Sequence, residues 1–350
     1  MTRHGSFKKV VRRHAKATGQ RYTEALTDLE GLEDRMIHEP SPEHLLTHIR
    51  DHYRIDAVAA TKISVHKTYV FRIDRTGGDP WIARAFPPAR PRSGVEGDAA
   101  ILRFLEQQDF PAERLAVDDA VSDFNGSTVL VTRFVANRPF PEVSEKLGMM
   151  GDLLGRLHAL PLDESVSRPG GASGEDPTRE GSPRQDLMAS LAFLDAVDTK
   201  VAASEREQFE QLRDLVLSAD DGSGLPEALL HGNLLHNPDH ALLTDHGPVG
   251  INWKAAGRGP RLADFAWLMW GTWRDPVLID AVVDAYRRHI ELTDDELDRF
   301  EAVMYIRPLY LAGFIVRRNV MEGKDEDALA YVDPEYLRAT AEATRNAFRR

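Results

Sequence analysis

Residues 230–253 concentrate the side chains able to do chemistry: His231, His236 and His240, the amides Asn233, Asn237 and Asn252, and the acids Asp239 and Asp245. Cysteine is absent from the whole chain, which excludes thiolate nucleophiles, thiolate metal sites and disulfides together. A carboxamide has no basicity near neutral pH, so Asn233 is able to orient a hydroxyl but not to take its proton. His236 and His240 have the i, i+4 spacing of a helical metal pair, but Pro238 between them opposes a helix. His231, next to a glycine, reads either as a catalyst or as a hydrogen-bonding brace of its loop. Asp239, Asp245 and the later Asp264 are the acids near enough to matter.

The surrounding elements follow from periodicity. Residues 8–36 read as amphipathic helix, broken by Pro40 and Pro42, with a further helix over 42–53. The apolar period then switches from 3.6 to about 2. Residues 68–73 and 81–86 read as strands around a Gly77-Gly78-Asp79-Pro80 turn, 97–107 as a helix and 127–134 as another strand. Beyond Pro141 helices dominate, at 147–160, 186–198, 204–218, 262–270, 276–289, 294–313 and 334–348. A Gly/Ser/Pro-rich stretch at 165–183 reads as a mobile surface loop, and 229–253 as a short β-rich insert. This is an α+β pattern: a small β-rich N-lobe and a larger helical C-lobe. Residues 1–44 would form a basic helical extension, 45–138 the N-lobe and 139–350 the C-lobe. A chain of 350 residues also exceeds the ~250–300 at which one core stops growing, which favours two lobes.

Charge narrows the partners. The chain carries −12 overall, yet its first 21 residues hold seven Lys/Arg and no acid, which leaves −19 on the rest. Such an acidic body does not suit nucleic-acid binding, which rests on neutralising phosphates. No apolar run approaches the ~18 residues of a membrane helix. The basic start is followed by no apolar stretch, so a secretory signal is not expected and a cytoplasmic location is.

The order of these motifs resembles the aminoglycoside phosphotransferase and choline kinase-like family, which has a bilobal protein-kinase-like fold. The resemblance rests on His231-Gly232-Asn233, the hairpin ending in Ile251-Asn252-Trp253, the segment from Gly257 to Trp267 with Pro260 and Asp264, the Leu154 to Leu160 helix with His158, and the Trp81 to Phe86 strand with Arg84. It implies ATP and magnesium as cofactors. It also implies a catalytic Asp at position 233, a magnesium-holding Asn five residues on, and a magnesium-chelating Asp at 252. Here those positions are Asn233, Pro238 (with Asn237 one place early) and Asn252. Arg84 stands where the family contacts the α/β-phosphates, with Glu96 or Asp98 as its anchor. Ser64 and Lys67, in a glycine-free turn over 62–68, are the residues placed to meet a phosphate.

Losing the base alone weakens phosphoryl transfer by about 10²–10⁴ without abolishing it. Losing the magnesium carboxylate is graver, because magnesium is held by charged oxygens. Asp239 or Asp245 would have to replace it. Besides a binding module in which the basic N-terminal helices do the work and the kinase-like body is a scaffold, two functions are compatible with these losses. One is a catalytically impaired pseudokinase that binds a small molecule, a peptide or a partner protein. The other is an active ATP-dependent phosphotransferase acting on a hydroxyl, with a rearranged metal site.

Overall fold

The computed structural model describes residues 40–65, 68–162, 166–171, 181–234, 240–323 and 326–350. The basic residues of the first 39 positions, and Lys67, Asn237 and Asp239, therefore lie outside the described residues. The described chain divides into two compact units, one running through Pro91 with Ser122–Leu130 added, the other made of Arg92–Val121 and Val131–Arg350.

In the first unit, helix α1 (Pro42–Tyr53) precedes strands β1 (Ala57–Val65), β2 (Tyr69–Arg75) and β3 (Gly78–Phe86). Proline at the start of α1 suits a position whose N–H would be orphaned anyway, and Arg54 ends the helix in the left-handed region. Strands β4 (Val121–Phe124) and β5 (Ser127–Arg133) complete a five-stranded sheet in the order β1-β2-β3-β5-β4. Strand β2 pairs antiparallel with β1 on one side and with β3 on the other. Phe71 and Ile73, two apart on β2, are fully buried, as period-2 alternation demands. His48 and Tyr53 of α1 both hydrogen-bond the hydroxyl of Ser122.

One expectation fails here. The stretch 62–68 reads as a turn, yet β1 continues to Val65, with Lys62 opposite Phe71 and Ser64 opposite Val70 across a bulge. The strand lies at a sheet edge, and Val58 and Ile63 are more than half exposed. Its alternation is thus weak in the sequence.

The second unit opens with α2 (Arg92–Gln107), which begins five residues before its apolar stripe suggests. Helices α3 (Val143–His158), α4 (Pro183–Asp195) and α5 (Arg206–Ser218) come after it. Next are β6 (Glu227–Leu230), the hairpin β7 (Ala241–Thr244) and β8 (Gly247–Gly250), and β9 (Gly257–Pro260), which pairs antiparallel with β6. Helices α6 (Arg261–Trp270), α7 (Pro276–Tyr286), α8 (Asp294–Met304), α9 (Ile306–Glu322) and α10 (Pro334–Arg349) close the chain. Among the described residues no helix is long and apolar enough to cross a membrane.

Arg261, at the start of α6, grips Glu296 of α8 through Nε and Nη2 at 2.8 and 2.7 Å, while Glu296 also completes a capping box with Thr293. The single helix expected over 294–313 is in fact two, ending at Met304 and resuming at Ile306. Pro308 explains the break: its ring occupies the space of the carbonyl four residues back, at Met304, and it supplies no N–H. Within the Gly/Ser/Pro-rich stretch, the described residues 166–171 depart from a plain surface loop. Val166 is buried, and the N–H groups of Gly170 and Gly171 donate to the carbonyls of Arg258 and Ala255.

Helices α3 and α7 approach closely at Gly151, where an added Cβ would lie 2.6 Å from the carbonyl oxygen of Val282. Gly151→Ala should therefore lower stability by about 1–3 kcal/mol, the usual cost of overpacking. A Tm unchanged or raised, through the helix propensity that alanine adds, would show that the pair separates without cost.

Candidate functional site

The site is built around one carboxylate. Asp264, in the first turn of α6, accepts the backbone N–H of His231 at 2.6 Å and that of Gly232 at 3.0 Å. Both carboxylate oxygens are thereby committed to the loop that leaves β6. Gly232 has φ +77°, and a Cβ there would run into the carbonyl oxygen of Ala255, so only glycine fits. His231 is buried. Its Nε2 donates to the carbonyl of Ile251 at 3.0 Å, and its Nδ1 accepts the N–H of Asn233 at 3.3 Å. Its ring lies 4.6 Å from that of Trp253. The imidazole thus joins two loops, with both nitrogens used in bracing.

Behind Asp264 sits His158 at the end of α3. Its Nε2 is 3.7 Å from the carboxylate, too far for a hydrogen bond, and its Nδ1 shares a hydrogen bond with the Tyr286 hydroxyl at 2.8 Å. Burial pushes the Tyr286 phenol up, so it remains a donor. Burial likewise holds the His158 imidazole below its ordinary 6.5, against the opposing pull of Asp264.

The hairpin exit carries the second amide. Asn252 adopts the left-handed region, φ 69° and ψ 59°, just before the short turn Trp253–Ala255. Its backbone N–H donates to Oε1 of Glu113 at 2.7 Å, while Oε2 of the same carboxylate accepts the Thr132 hydroxyl at 3.0 Å. Glu113 is 3% exposed. Its own N–H donates to the carbonyl of Gly250, whose N–H donates to Pro111.

His240 connects the two amides. Its Nδ1 lies 2.5 Å from the carbonyl oxygen of Asn233, which only accepts, so Nδ1 carries the proton. Nε2 is then the acceptor for Nδ2 of Asn252 at 3.0 Å. The side chain of Asn233 faces a different partner: its Oδ1 accepts from Nη2 of Arg307 at 3.0 Å.

The other sequence candidates are dispersed. Asp245 is at the tip of the β7–β8 hairpin, exposed and 3.8 Å from Arg138, about 10 Å along β8 from Gly250. Glu96 is exposed and pairs with Arg92 at 2.7 Å. Asp98 is buried and accepts from Arg168 at 2.7 Å. Arg168 also donates to the carbonyls of Trp253 and Ala256, tying α2 to the turn after Asn252. Arg84 is buried on β3, opposite Val70, and Ser64 lies in β1. Sequence reasoning overlooked Glu113, Arg168 and Arg307. Glu113 and Arg168 carry no signal in the sequence. Arg307 does, as a lone cation between Ile306 and Pro308 in an apolar run.

Magnesium requires hard, charged oxygens, typically one or two carboxylates. Among the described residues the loop offers neutral amides, one against a guanidinium and one against an imidazole, and a glutamate with both oxygens engaged. No group of three or more His, Asp or Glu among them is arranged for a metal. This donor set does not fit the ion.

The sequence profile of the phosphotransferase enzyme family matches residues 64–300. No curated protein matches the chain. An amicoumacin kinase solved with AMP-PNP and Ca2+ is similar in structure at 13% identity and a TM-score of 0.59, over 85% of this chain and 93% of that one. A spectinomycin phosphotransferase solved with ADP and spectinomycin gives 12%, 0.57, 88% and 99%. An ethanolamine kinase from Plasmodium vivax gives 13%, 0.57, 93% and 95%. At these identities the likeness is one of fold, the protein-kinase-like one.

The His158 environment makes stability depend on pH. The unfolded chain protonates this imidazole near 6.5, whereas the folded state resists it. The stabilising contribution is therefore complete above 6.5 and is lost as pH falls toward the depressed folded value. Denaturant midpoints measured between pH 7.5 and 5.5 should fall more steeply for the natural chain than for His158→Gln. Parallel curves would show that the imidazole titrates alike in both states.

Proposed function

The chain belongs to the phosphotransferase enzyme family, and from that premise we propose that it is a non-catalytic member, a ligand-binding protein built on a kinase-like fold. One observation carries this reading: both amides of the loop are already held by side-chain neighbours, a guanidinium and an imidazole. Asn233 Oδ1 accepts from a guanidinium, and Asn252 Nδ2 donates to a neutral imidazole.

The position where the family resemblance implies a base holds a group without basicity. A carboxylate placed there would meet Arg307 at hydrogen-bond distance. An ion pair of that kind favours the charged carboxylate and weakens it as a proton acceptor. The position implied for the metal holds a neutral oxygen, and a carboxylate there would meet His240 and favour an imidazolium. His231 and Asp264 keep bracing roles, which serve a binding loop as well as a catalytic one. Arg84 and Ser64, both in the first unit, are the residues we assign to a nucleotide.

The test is magnesium-dependent ATP binding and hydrolysis by the unaltered protein. We expect no increase in ATP affinity on adding magnesium and no turnover. We also expect the double variant Asn233→Asp with Asn252→Asp to stay inactive, because Arg307 and His240 would capture the new carboxylates. Turnover by the natural chain in the ~1–100 s⁻¹ range of active kinases would overturn the proposal. It would make Asp239 the replacement ligand to examine.

A further inference from the structure

Arg307 has a guanidinium that the described protein leaves half used. The residue is 9% exposed, in the first turn of α9, just before the proline that separates α9 from α8. Its Cζ lies 5.4 Å from the ring centroid of Trp267 and 5.3 Å from that of Tyr310. Nη2 donates to Oδ1 of Asn233 at 3.0 Å. Nε and Nη1 are both buried and have no acceptor among the described residues. No carboxylate among those residues pairs with it.

This is a costly arrangement unless something completes it. Arginine does not shed its charge on burial as lysine does, and a buried charge without a counter-charge is strongly unfavourable. The two aromatic faces offset part of the cost through their quadrupoles. Asn233 contributes a dipole but no charge. The remaining donors are N–H groups, which recognise carboxylate and phosphate oxygens and reject cations.

We propose that Arg307, held in place by Oδ1 of Asn233, forms a subsite for a compact oxyanion, a carboxylate or phosphate group carried by the ligand of this protein. The proposal rests on the reading of the loop as a ligand site and adds its chemistry: the bound molecule is acidic at the group that sits against Arg307. The open guanidinium N–H groups, Nε and Nη1, supply the donors. Trp267 and Tyr310 flank the guanidinium and fix its plane.

The experiment uses the full chain without nucleotide, so its result stands apart from the magnesium–ATP test. Sodium phosphate and, in a separate arm, sodium acetate are titrated at ionic strength held constant with sodium chloride. Tm and tryptophan fluorescence are followed. A saturable response in either arm is expected, and the arm that saturates at lower concentration identifies the oxyanion. Arg307→Met should weaken binding roughly 10–100-fold, the equivalent of one charge-assisted hydrogen bond. Asn233→Asp should weaken it about as much while raising Tm in anion-free buffer, because the new carboxylate supplies the counter-charge internally. If Arg307→Met does not fold, Asn233→Asp alone decides the matter. No saturable response in either arm, or a response that Asn233→Asp leaves undiminished, overturns the proposal.

Discussion

The carboxylate of Asp264 sets the geometry of everything around it. Two consecutive backbone N–H groups, of His231 and Gly232, end on its two oxygens. A pair of charge-assisted bonds to one rigid group fixes both the path and the twist of a loop. The left-handed turn at Gly232 then aims His231 at Ile251 and brings Asn233 within reach of Arg307. Asp264 in turn depends on α6, which the Arg261–Glu296 pair fastens to α8. Its place in the first turn of a helix favours the negative charge that the loop requires.

With the loop so fixed, the neutral side chains at 233 and 252 are matched by what surrounds them. A guanidinium faces Asn233, a neutral imidazole faces Asn252, and a buried glutamate holds the Asn252 backbone. Each partner suits an amide. Arg307 keeps an open charge that a carboxylate at 233 would have closed. His240 serves as the acceptor for the amide at 252. The loop works as a hydrogen-bonding scaffold, and the charge left open beside it is positive although the chain as a whole is strongly acidic.

Much of this was legible in the residues. The helix over 42–53 and the strands around Gly77 follow from period and turn chemistry, and a bracing role is one of the two readings of His231. What stayed hidden has identifiable causes. Edge strand β1 exposes Val58 and Ile63, so its alternation does not mark a buried face. The break at Tyr305 was signalled by Pro308 but masked by apolar residues on both sides. Glu113 and Arg168 act on backbone atoms of distant segments, 139 and 85 residues from Asn252 and Trp253. Such pairing depends on how the chain closes and leaves no local mark.

The left-handed backbone at Asn252 has a consequence for how such a site is able to change. Few side chains tolerate that conformation: glycine without strain, asparagine and aspartate at modest cost, branched residues hardly at all. The turn therefore admits a charged and an uncharged occupant of nearly identical shape and excludes most others. Exchange of one oxygen for one nitrogen alters the electrostatics of the loop while the peptide path through Trp253 stays as it is. An exchange of asparagine and aspartate at 252 is therefore one that the backbone of this turn accommodates in either direction.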